Sequence, residues 1–351
     1  MKKVFVGMSG GIDSSAAAFL LKQDGYEVTG VTFTAFREEG YKKCCSLEDI
    51  QAAKKVCEFL GIFHITIDVK DVFQTKIIKN FIESYKNGLT PNPCILCNRF
   101  VKFGIVMEYA LSEGADFFAT GHYASVDEED GEYFIKKGID AARDQSYFLS
   151  FVEKEKLLFI LLPLGKYYKK EIREIVQKAA LPVSPSKPES QDICFITSDY
   201  RDFLKNQGVP EKEGDFIYAN KRVGIHRGIP YYSYGQRRGL NVPLGKRVYV
   251  RKFDLLTNRI FLGEKPLSAS FTVKNLNVFT NKFKDGRYSI LVRYQSPFNE
   301  GDVSIKGGTA SVKLEKPCEI VTPGQYAVFY KDDRVYASGE IDRVDLWVDK
   351  I

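Results

Sequence analysis

The chain opens with Lys3-Val4-Phe5-Val6, runs at once into Gly7-Met8-Ser9-Gly10-Gly11-Ile12-Asp13-Ser14-Ser15, and continues as Ala16-Ala17-Ala18-Phe19-Leu20-Leu21. The apolar, β-branched first run reads as a buried strand, and the last, rich in strong helix formers, as a helix. A strand that feeds a helix through a Gly-rich turn constrains the rest of the chain. The strand must lie in a sheet, the helix must pack back onto it, and the turn leaves backbone N–H groups aimed outward at the positive end of a helix dipole. Such a turn binds anions, phosphate above all. A Walker A loop closes on Gly-Lys-Ser/Thr, and no Lys stands between Gly7 and Ser15. A dinucleotide loop needs G-x-G-x-x-G, which these glycines do not provide.

The pattern beyond the loop agrees with a layered α/β domain. Glu27–Phe33 reads as a second strand. Ser46-Leu47-Glu48-Asp49 has the form of a capping box, and the helix behind it carries Ile50, Ala53, Cys57 and Leu60 on one stripe. Ile62–Ile67 reads as a third strand, Phe73, Ile77, Phe81 and Tyr85 recur at steps of four, and Ala115–Thr120 forms another strand. This predicts an α/β fold with an N-terminal doubly wound parallel sheet, whose ligands gather at the carboxyl ends of the strands. The loop after the first strand, Phe33 at the end of the second, and Thr120-Gly121-His122-Tyr123 after a later one are expected to converge there. Past about residue 205 strands succeed one another without helices: Val248–Val250, Ile260–Leu262, Phe271–Val273, Tyr288–Val292 and Ala327–Tyr330, with turns at Leu255–Asn258 and Lys331–Arg334. The expected division is 1–205 for the α/β domain, 206–266 for a small central β-rich domain, and 267–351 for a C-terminal β-barrel.

Composition bounds the function. No apolar run approaches the roughly 20 residues of a membrane span, and too few apolar residues precede Ser9 for a signal peptide, which predicts a cytoplasmic protein with no membrane partner. A net charge of +6 is compatible with a nucleic-acid partner without requiring one. Seven cysteines, an odd number, argue against a disulfide framework and direct attention to catalytic or ligating thiols.

Two cysteine segments stand out. In Thr90-Pro91-Asn92-Pro93-Cys94-Ile95-Leu96-Cys97-Asn98-Arg99 the prolines bar a helix before Cys94, and a helix is expected from near Asn98. Cys97 would then sit beside a helix N-terminus with Arg99 and Lys102 nearby, and both effects favour a thiolate. The second segment, Ser190-Gln191-Asp192-Ile193-Cys194-Phe195, comes after a Pro/Ser-rich stretch and reads as a loop that carries a thiol. Cys94 and Cys97 alone are half a zinc site with no second pair to complete it, and their surroundings do not suit a thioredoxin-like redox pair. The remaining possibility is a working pair, Cys97 and Cys194. Cys57 and Cys318 read as inert, and Cys44 and Cys45 stay unassigned.

Ser9–Ser15 resembles the pyrophosphate loop of the ATP-pyrophosphatase superfamily. Taken together with Thr90–Arg99, Ala119–Tyr123, Asp144-Gln145-Ser146-Tyr147-Phe148-Leu149, Ser190–Phe195, Gly235-Gln236-Arg237-Arg238-Gly239-Leu240, Arg293-Tyr294 and Thr322-Pro323-Gly324-Gln325, the chain is similar along its whole length to the tRNA-specific 2-thiouridylases. That resemblance implies a tRNA-uridine sulfurtransferase. ATP with Mg²⁺ adenylates the C2 oxygen of the wobble uridine, and sulfur displaces AMP to leave 2-thiouridine, AMP and pyrophosphate. It implies that Gly7, Met8, Ser9, Gly10, Gly11, Ile12, Asp13, Ser14, Phe33 and Gly121 bind ATP, with Asp13 also catalytic. Cys97 is then the nucleophile and Cys194 the persulfide carrier, the two closing a disulfide after sulfur release. Asn92, Pro93 and Cys94 would meet the target base, and His122, Arg143, Asp144, Gln145, Arg293, Tyr294 and Gln325 would contact tRNA. A persulfide donor protein, a cysteine desulfurase or sulfur relay, is the further partner.

The chain departs from the family pattern in places. Phe33 stands where Met is common, Arg143 where Lys is usual, and Cys94 where some members have Asp. Three cysteines, Cys94, Cys97 and Cys194, leave open a second sulfur route through an iron–sulfur (4Fe-4S) cluster. A non-thiolating ATP-pyrophosphatase synthetase would share the loop but have no use for the cysteine pair. Independently of the family, Arg293 beside Tyr294 suits phosphate pairing with base stacking, and two arginines in the Gly-bounded turn Gly235–Leu240 suit RNA backbone contact.

Overall fold

The first strand, β1 (Lys3–Gly7), lies in the middle of a five-stranded sheet with β2 (Glu27–Thr34) on one side and β4 (Phe117–Ala119) on the other. The computed structural model describes residues 1–35, 47–184, 193–196, 199–319 and 321–346. Cys44, Cys45 and Ser190–Asp192 lie outside these, as does Ser46 of the expected capping box. The described chain forms two bodies, one of residues 1–77, 94–197 and 333–335, the other of 78–93, 198–332 and 336–351.

In the first body the sheet order is β3-β2-β1-β4-β7, with β3 at Phe63–Asp68 and β7 at Ile160–Leu161, and every pairing is parallel. Helices α1 (Ile12–Gln23), α2 (Leu47–Leu60) and α8 (Lys169–Lys178) complete the layer: Ala16, Ala17, Leu20 and Leu21 of α1 meet Ala53, Val56, Cys57 and Leu60 of α2, Ile172 and Val176 of α8, and Val4 and Val6 of β1. Each large apolar side chain buried there contributes about 1.5–3 kcal/mol against exposure. The short helices α3 (Lys70–Val72) and α7 (Ser146–Leu149) belong to the same body. The doubly wound parallel sheet expected from the alternating pattern is therefore present. The alternation breaks after β4: β5 (Ala124–Glu129) and β6 (Glu132–Lys137) form an antiparallel hairpin closed by Asp130 and Gly131, both at positive φ.

The segment after the prolines also differs from expectation. Helix α5 spans Pro93–Cys97 and runs on into a π-type stretch at Asn98–Val106, which is kinked at the non-helical Gly104, then into α6 (Met107–Ser112). The helix thus starts at Pro93 rather than near Asn98. Proline suits the first helical position, where its missing N–H would have no intrahelical partner.

The second body combines helices α4 (Lys79–Lys86) and α9 (Tyr200–Asn206) with two β units. Strands β8 (Gly214–Tyr218), β9 (Lys221–His226), β10 (Tyr249–Asp254) and β11 (Arg259–Gly263) make a four-stranded sheet in the order β10-β11-β8-β9. Strands β12 (Ser268–Val278), β13 (Gly286–Leu291), β14 (Asn299–Lys306), β15 (Thr309–Cys318), β16 (Tyr326–Lys331) and β17 (Arg334–Leu346) close a barrel through the β12–β17 pairing. Its filling follows the period of two: Tyr288, Ile290 and Val292 from one strand and its extension, Ala310, Val312 and Leu314 from another.

Candidate functional site

The loop after β1 is held by its own short side chains. Ser9 N donates to Ser14 Oγ (3.1 Å), and the hydroxyls of Ser14 and Ser15 donate to Gly11 O at 3.2 and 2.8 Å. Behind it, Met8 N donates to Val31 O and Thr32 Oγ1 donates to Met8 O. Gly10 is required twice over. Its φ is +66°, and a Cβ there would stand 2.7 Å from both Ala52 Cβ and Asp49 O of α2. Gly121 comes to the same place from the far end of β4: a Cβ on it would lie 2.7–2.8 Å from the backbone of Asp13 and 2.8 Å from Ser14 N. The convergence expected of Gly121 and the loop is thus present. Phe33, half-buried, pairs in register with Ile67 near the end of β2.

Asp13, in the first turn of α1, receives three hydrogen bonds. Tyr123 OH donates to Oδ1 at 2.8 Å, and Lys169 Nζ donates to Oδ1 at 2.7 Å and to Oδ2 at 2.8 Å. The side chain of Lys169 is only 9% exposed while that of Asp13 is 36% exposed, so the cation lies deeper than the carboxylate it pairs with. Nothing in the sequence pattern connects them. Tyr123 falls inside the Ala119–Tyr123 segment without a role, and Lys169 stands 156 residues from Asp13 in an unremarkable Tyr-Tyr-Lys-Lys run.

The thiols occupy the same body. Cys97, almost buried, is the last residue of α5, not the neighbour of a helix N-terminus, because the helix begins four residues earlier. Arg99 does not face it alone either. Its guanidinium donates to Phe151 O, pairs with Glu153 at 3.4 Å and stacks on the Phe151 ring at 4.4 Å. The helix N-terminus thus lies at Pro93, and the charge of Arg99 is shared with Glu153.

The Cys94 thiol is pushed up to about 11, by burial first and then by the charge of Cys194, with Lys102 working in the opposite direction. Beside Cys194, Phe195 anchors that short segment edge-on against Phe73 at 5.9 Å. Cys94, Cys97 and Cys194 are present as thiols, as are Cys57 and Cys318. Cys57 fits its inert reading: it is fully buried, with burial raising its thiol to about 12. Among the described residues no three His, Cys, Asp or Glu side chains group as a metal centre.

Around the thiols the polar side chains bind the backbone. Asn98 donates to Phe148 O at 2.9 Å, while its buried Oδ1 accepts nothing among the described residues. His122 is 8% exposed, bonded to Thr120 Oγ1 at 2.7 Å and 3.5 Å from Lys102 Nζ; burial first, then Lys102, holds its ring well below the usual imidazole range, so it is neutral. Asp144 accepts from Gly138 N, Ser146 N and Ser146 Oγ, with burial raising its carboxyl against those bonds. Gln145 exchanges bonds with both backbone groups of Tyr123. Arg143, half-buried, donates its backbone N–H to Asp140 O. These residues, implied as tRNA contacts by the family, brace the strand ends that carry Gly121 and Tyr123.

In the second body Gln325 is 8% exposed, and its amide donates to Thr90 O and Pro91 O at 3.0 and 3.2 Å. Gly324, at φ +89°, lets this turn approach Leu89 and Thr90, where a Cβ would come within 2.9 Å. The barrel turn therefore holds the strand of chain leading to Asn92 and buried Pro93. Arg293 is exposed on the turn after β13, next to half-buried Tyr294, and has no acidic partner among the described residues. Arg237, Arg238 and Arg247 are likewise exposed and unpaired with acid, and Arg237, Lys246 and Arg247 line a cavity of about 350 Å³. Gln236 braces that turn by accepting from Ser233 N and donating to Arg238 O.

A parallel sheet whose first strand empties into a Gly/Ser anion loop, with the free thiols Cys94, Cys97 and Cys194 carried in the same body, defines an α/β anion-loop protein that also carries reactive groups for thiol chemistry. Family models agree with that class: a tRNA methyl transferase HUP domain matches residues 2–198, a tRNA methyl transferase PRC-barrel domain matches 201–264, and an aminomethyltransferase beta-barrel domain matches 268–341. The tRNA-specific 2-thiouridylase MnmA 2 of Thermoanaerobacter sp. (strain X514) is 40% identical over 357 residues, covering 97% of this chain and 98% of its own. MnmA of Moorella thermoacetica is 40% identical over 354 residues, covering 97% and 99%. The chain belongs to the tRNA-specific 2-thiouridylase family. No helix among the described residues is long and apolar enough to cross a membrane.

Proposed function

We propose that this chain is a tRNA-uridine sulfurtransferase that replaces the C2 oxygen of the wobble uridine with sulfur, using ATP that enters with Mg²⁺. The observation that carries it is the near-full-length likeness to the tRNA-specific 2-thiouridylases, with Cys94, Cys97 and Cys194 in the body that also holds the anion loop. An adenylating synthetase without sulfur chemistry needs the loop but not those cysteines.

In the first step the C2 oxygen of the base attacks the α-phosphorus of ATP. The bond from that phosphorus to the bridging oxygen breaks, pyrophosphate leaves with the electron pair, and N3 of the base gives up its proton. Gly7–Ser14 hold the phosphates with backbone N–H groups, and Phe33 and Gly121 border the adenosine end. Next, the terminal sulfur of a Cys194 persulfide attacks C2, the C2–O bond breaks, and AMP departs with the former uridine oxygen. The Cys97 thiolate then attacks Sγ of Cys194. The S–S bond breaks with its electron pair left on the sulfur now attached to C2, and a Cys97–Cys194 disulfide remains for an external thiol to reduce. A persulfide donor, a cysteine desulfurase or a relay protein, recharges Cys194.

The base must leave the anticodon stack to reach these groups. Asn92, Pro93 and Cys94 form the edge it meets, and neutral His122, being buried, is reachable only by a base taken inside. Arg143, Arg293 and Tyr294 contact the tRNA, with Asp144, Gln145 and Gln325 supporting the segments that do so. The test is mass spectrometry of tRNA from cells lacking the protein. Loss of wobble 2-thiouridine, restored by the wild-type chain and not by C97S or C194S, is the expected result. Full 2-thiouridine in the deletion strain would refute the proposal.

A further inference from the structure

The phosphate loop lacks the lysine that a Walker loop carries, and it places a carboxylate, Asp13, one helical position past Ile12 in the first turn of α1. A bare carboxylate there works against the loop. Its charge would repel the very phosphate oxygens that the helix dipole and the N–H groups attract. The structure answers this with Lys169, which reaches both Asp13 oxygens at 2.7 and 2.8 Å from the start of α8. Lys169 is fixed at its own end as well: its backbone N–H donates to Asp140 Oδ2 at 2.9 Å, and Tyr168 N donates to Glu171 Oε2 at 2.7 Å at the helix start. The lysine, 9% exposed, approaches the carboxylate from the protein side.

We infer that Lys169 is the counter-charge that makes an Asp-bearing loop able to accept the pyrophosphate end of the nucleotide. This rests on the ATP-using reading above and deepens it. Lys169 acts through Asp13 and is a positioning residue, whose effect falls on the polyphosphate and not on the adenosine end. Because the device is a cancellation of charge, its signature is a rescue. Removing the lysine harms polyphosphate binding, and removing the carboxylate as well restores it.

The test measures, by calorimetry, binding of inorganic pyrophosphate without metal and of AMP to the full chain. K169Q is expected to weaken pyrophosphate about tenfold or more while AMP changes by less than about threefold, and K169R to stay near wild type. D13N, which frees the cation, is expected to bind pyrophosphate more tightly than wild type, and D13N/K169Q to return to within about threefold of it. Thermal unfolding of each variant checks that it is folded. If K169Q does not fold because it leaves the Asp13 carboxylate without its cation, D13N against D13N/K169Q still decides, since neither leaves that charge. Equal losses for AMP and pyrophosphate in K169Q, or no tightening in D13N, would overturn the inference. A wild-type chain that binds neither AMP nor pyrophosphate would instead overturn the ATP-using reading itself.

Discussion

The two bodies treat charge in opposite ways. In the α/β body several ionisable groups near the loop and the thiols are paired or held neutral: Asp13 is bound by Lys169 and Tyr123, Arg99 by Glu153, His122 is buried and uncharged, and Cys94 is kept a thiol, while Lys102 beside His122 has no acidic partner among the described residues. In the second body Arg237, Arg238, Arg247 and Arg293 stand exposed without an acidic partner among the described residues. Groups that are desolvated and fixed can stabilise a developing charge, because they need no reorganisation when it appears. Exposed unpaired cations suit a long-range attraction to a polyanion, which salt weakens. On the proposed function the first body would carry the chemistry and the second the electrostatic capture, and variants in each should then fail in different ways.

The largest effect is expected from the thiols. C97S or C194S should lower 2-thiouridine formation at least about a thousandfold, since neither half of a nucleophile–carrier pair works alone. Release of pyrophosphate on mixing with ATP and tRNA should persist. Normal thiolation by either variant would remove the pair from the reaction. D13A comes next: adenylation should fall about a hundredfold or more as the first turn of α1 loses the group around which Tyr123 and Lys169 are arranged. Affinity for tRNA, measured by filter binding, should hardly change. A tRNA affinity that fell as far as turnover would break the division between the bodies.

How much of this is legible in the sequence differs by element. The anion loop, the parallel strands and the barrel strands are, because each depends on local periodicity or on glycines at fixed offsets. The strand pair at Ala124–Lys137 carries only the turn signal Asp130-Gly131, easily lost beside a strong helix–strand alternation, while β7, two residues long, has no pattern to read. The helix start at Pro93 is misplaced when proline is read as a barrier and not as a first helical residue. The Lys169–Asp13 pair is invisible in principle: only the packing of α8 beside α1 brings them together, and nothing in either neighbourhood encodes the other. Gln325 is similar, since its bonds to Thr90 and Pro91 join the barrel turn to a segment far upstream.

The pH behaviour of Cys94 sharpens the contrast, because it belongs to the body that suppresses charge. The thiolate is the form that alkylates, and burial first, then the charge of Cys194, lifts this thiol from 9.0 to about 11 against Lys102. At neutral pH its modification by iodoacetamide, followed by peptide mass spectrometry, should therefore be about a hundredfold slower than that of an ordinary thiol with the unshifted value, and should rise about tenfold per pH unit until near pH 11. Rapid alkylation at pH 7 would mean that Cys94 is held as a thiolate and that suppression is not the rule in this body.

Arg293 gives the smallest effect and the cleanest contrast. Its exposure, its lack of an acidic partner among the described residues and the adjacent ring of Tyr294 suit one phosphate contact with stacking beside it. R293Q should weaken tRNA binding only severalfold, but the slope of log affinity against log salt should become shallower by about one contact's worth. The turnover of bound tRNA should be unchanged, because no group that holds Asp13 or the thiols depends on this arginine. An unaltered salt slope would take Arg293 out of the interface. A fall in single-turnover rate with saturating tRNA would show that the second body also sets the chemistry.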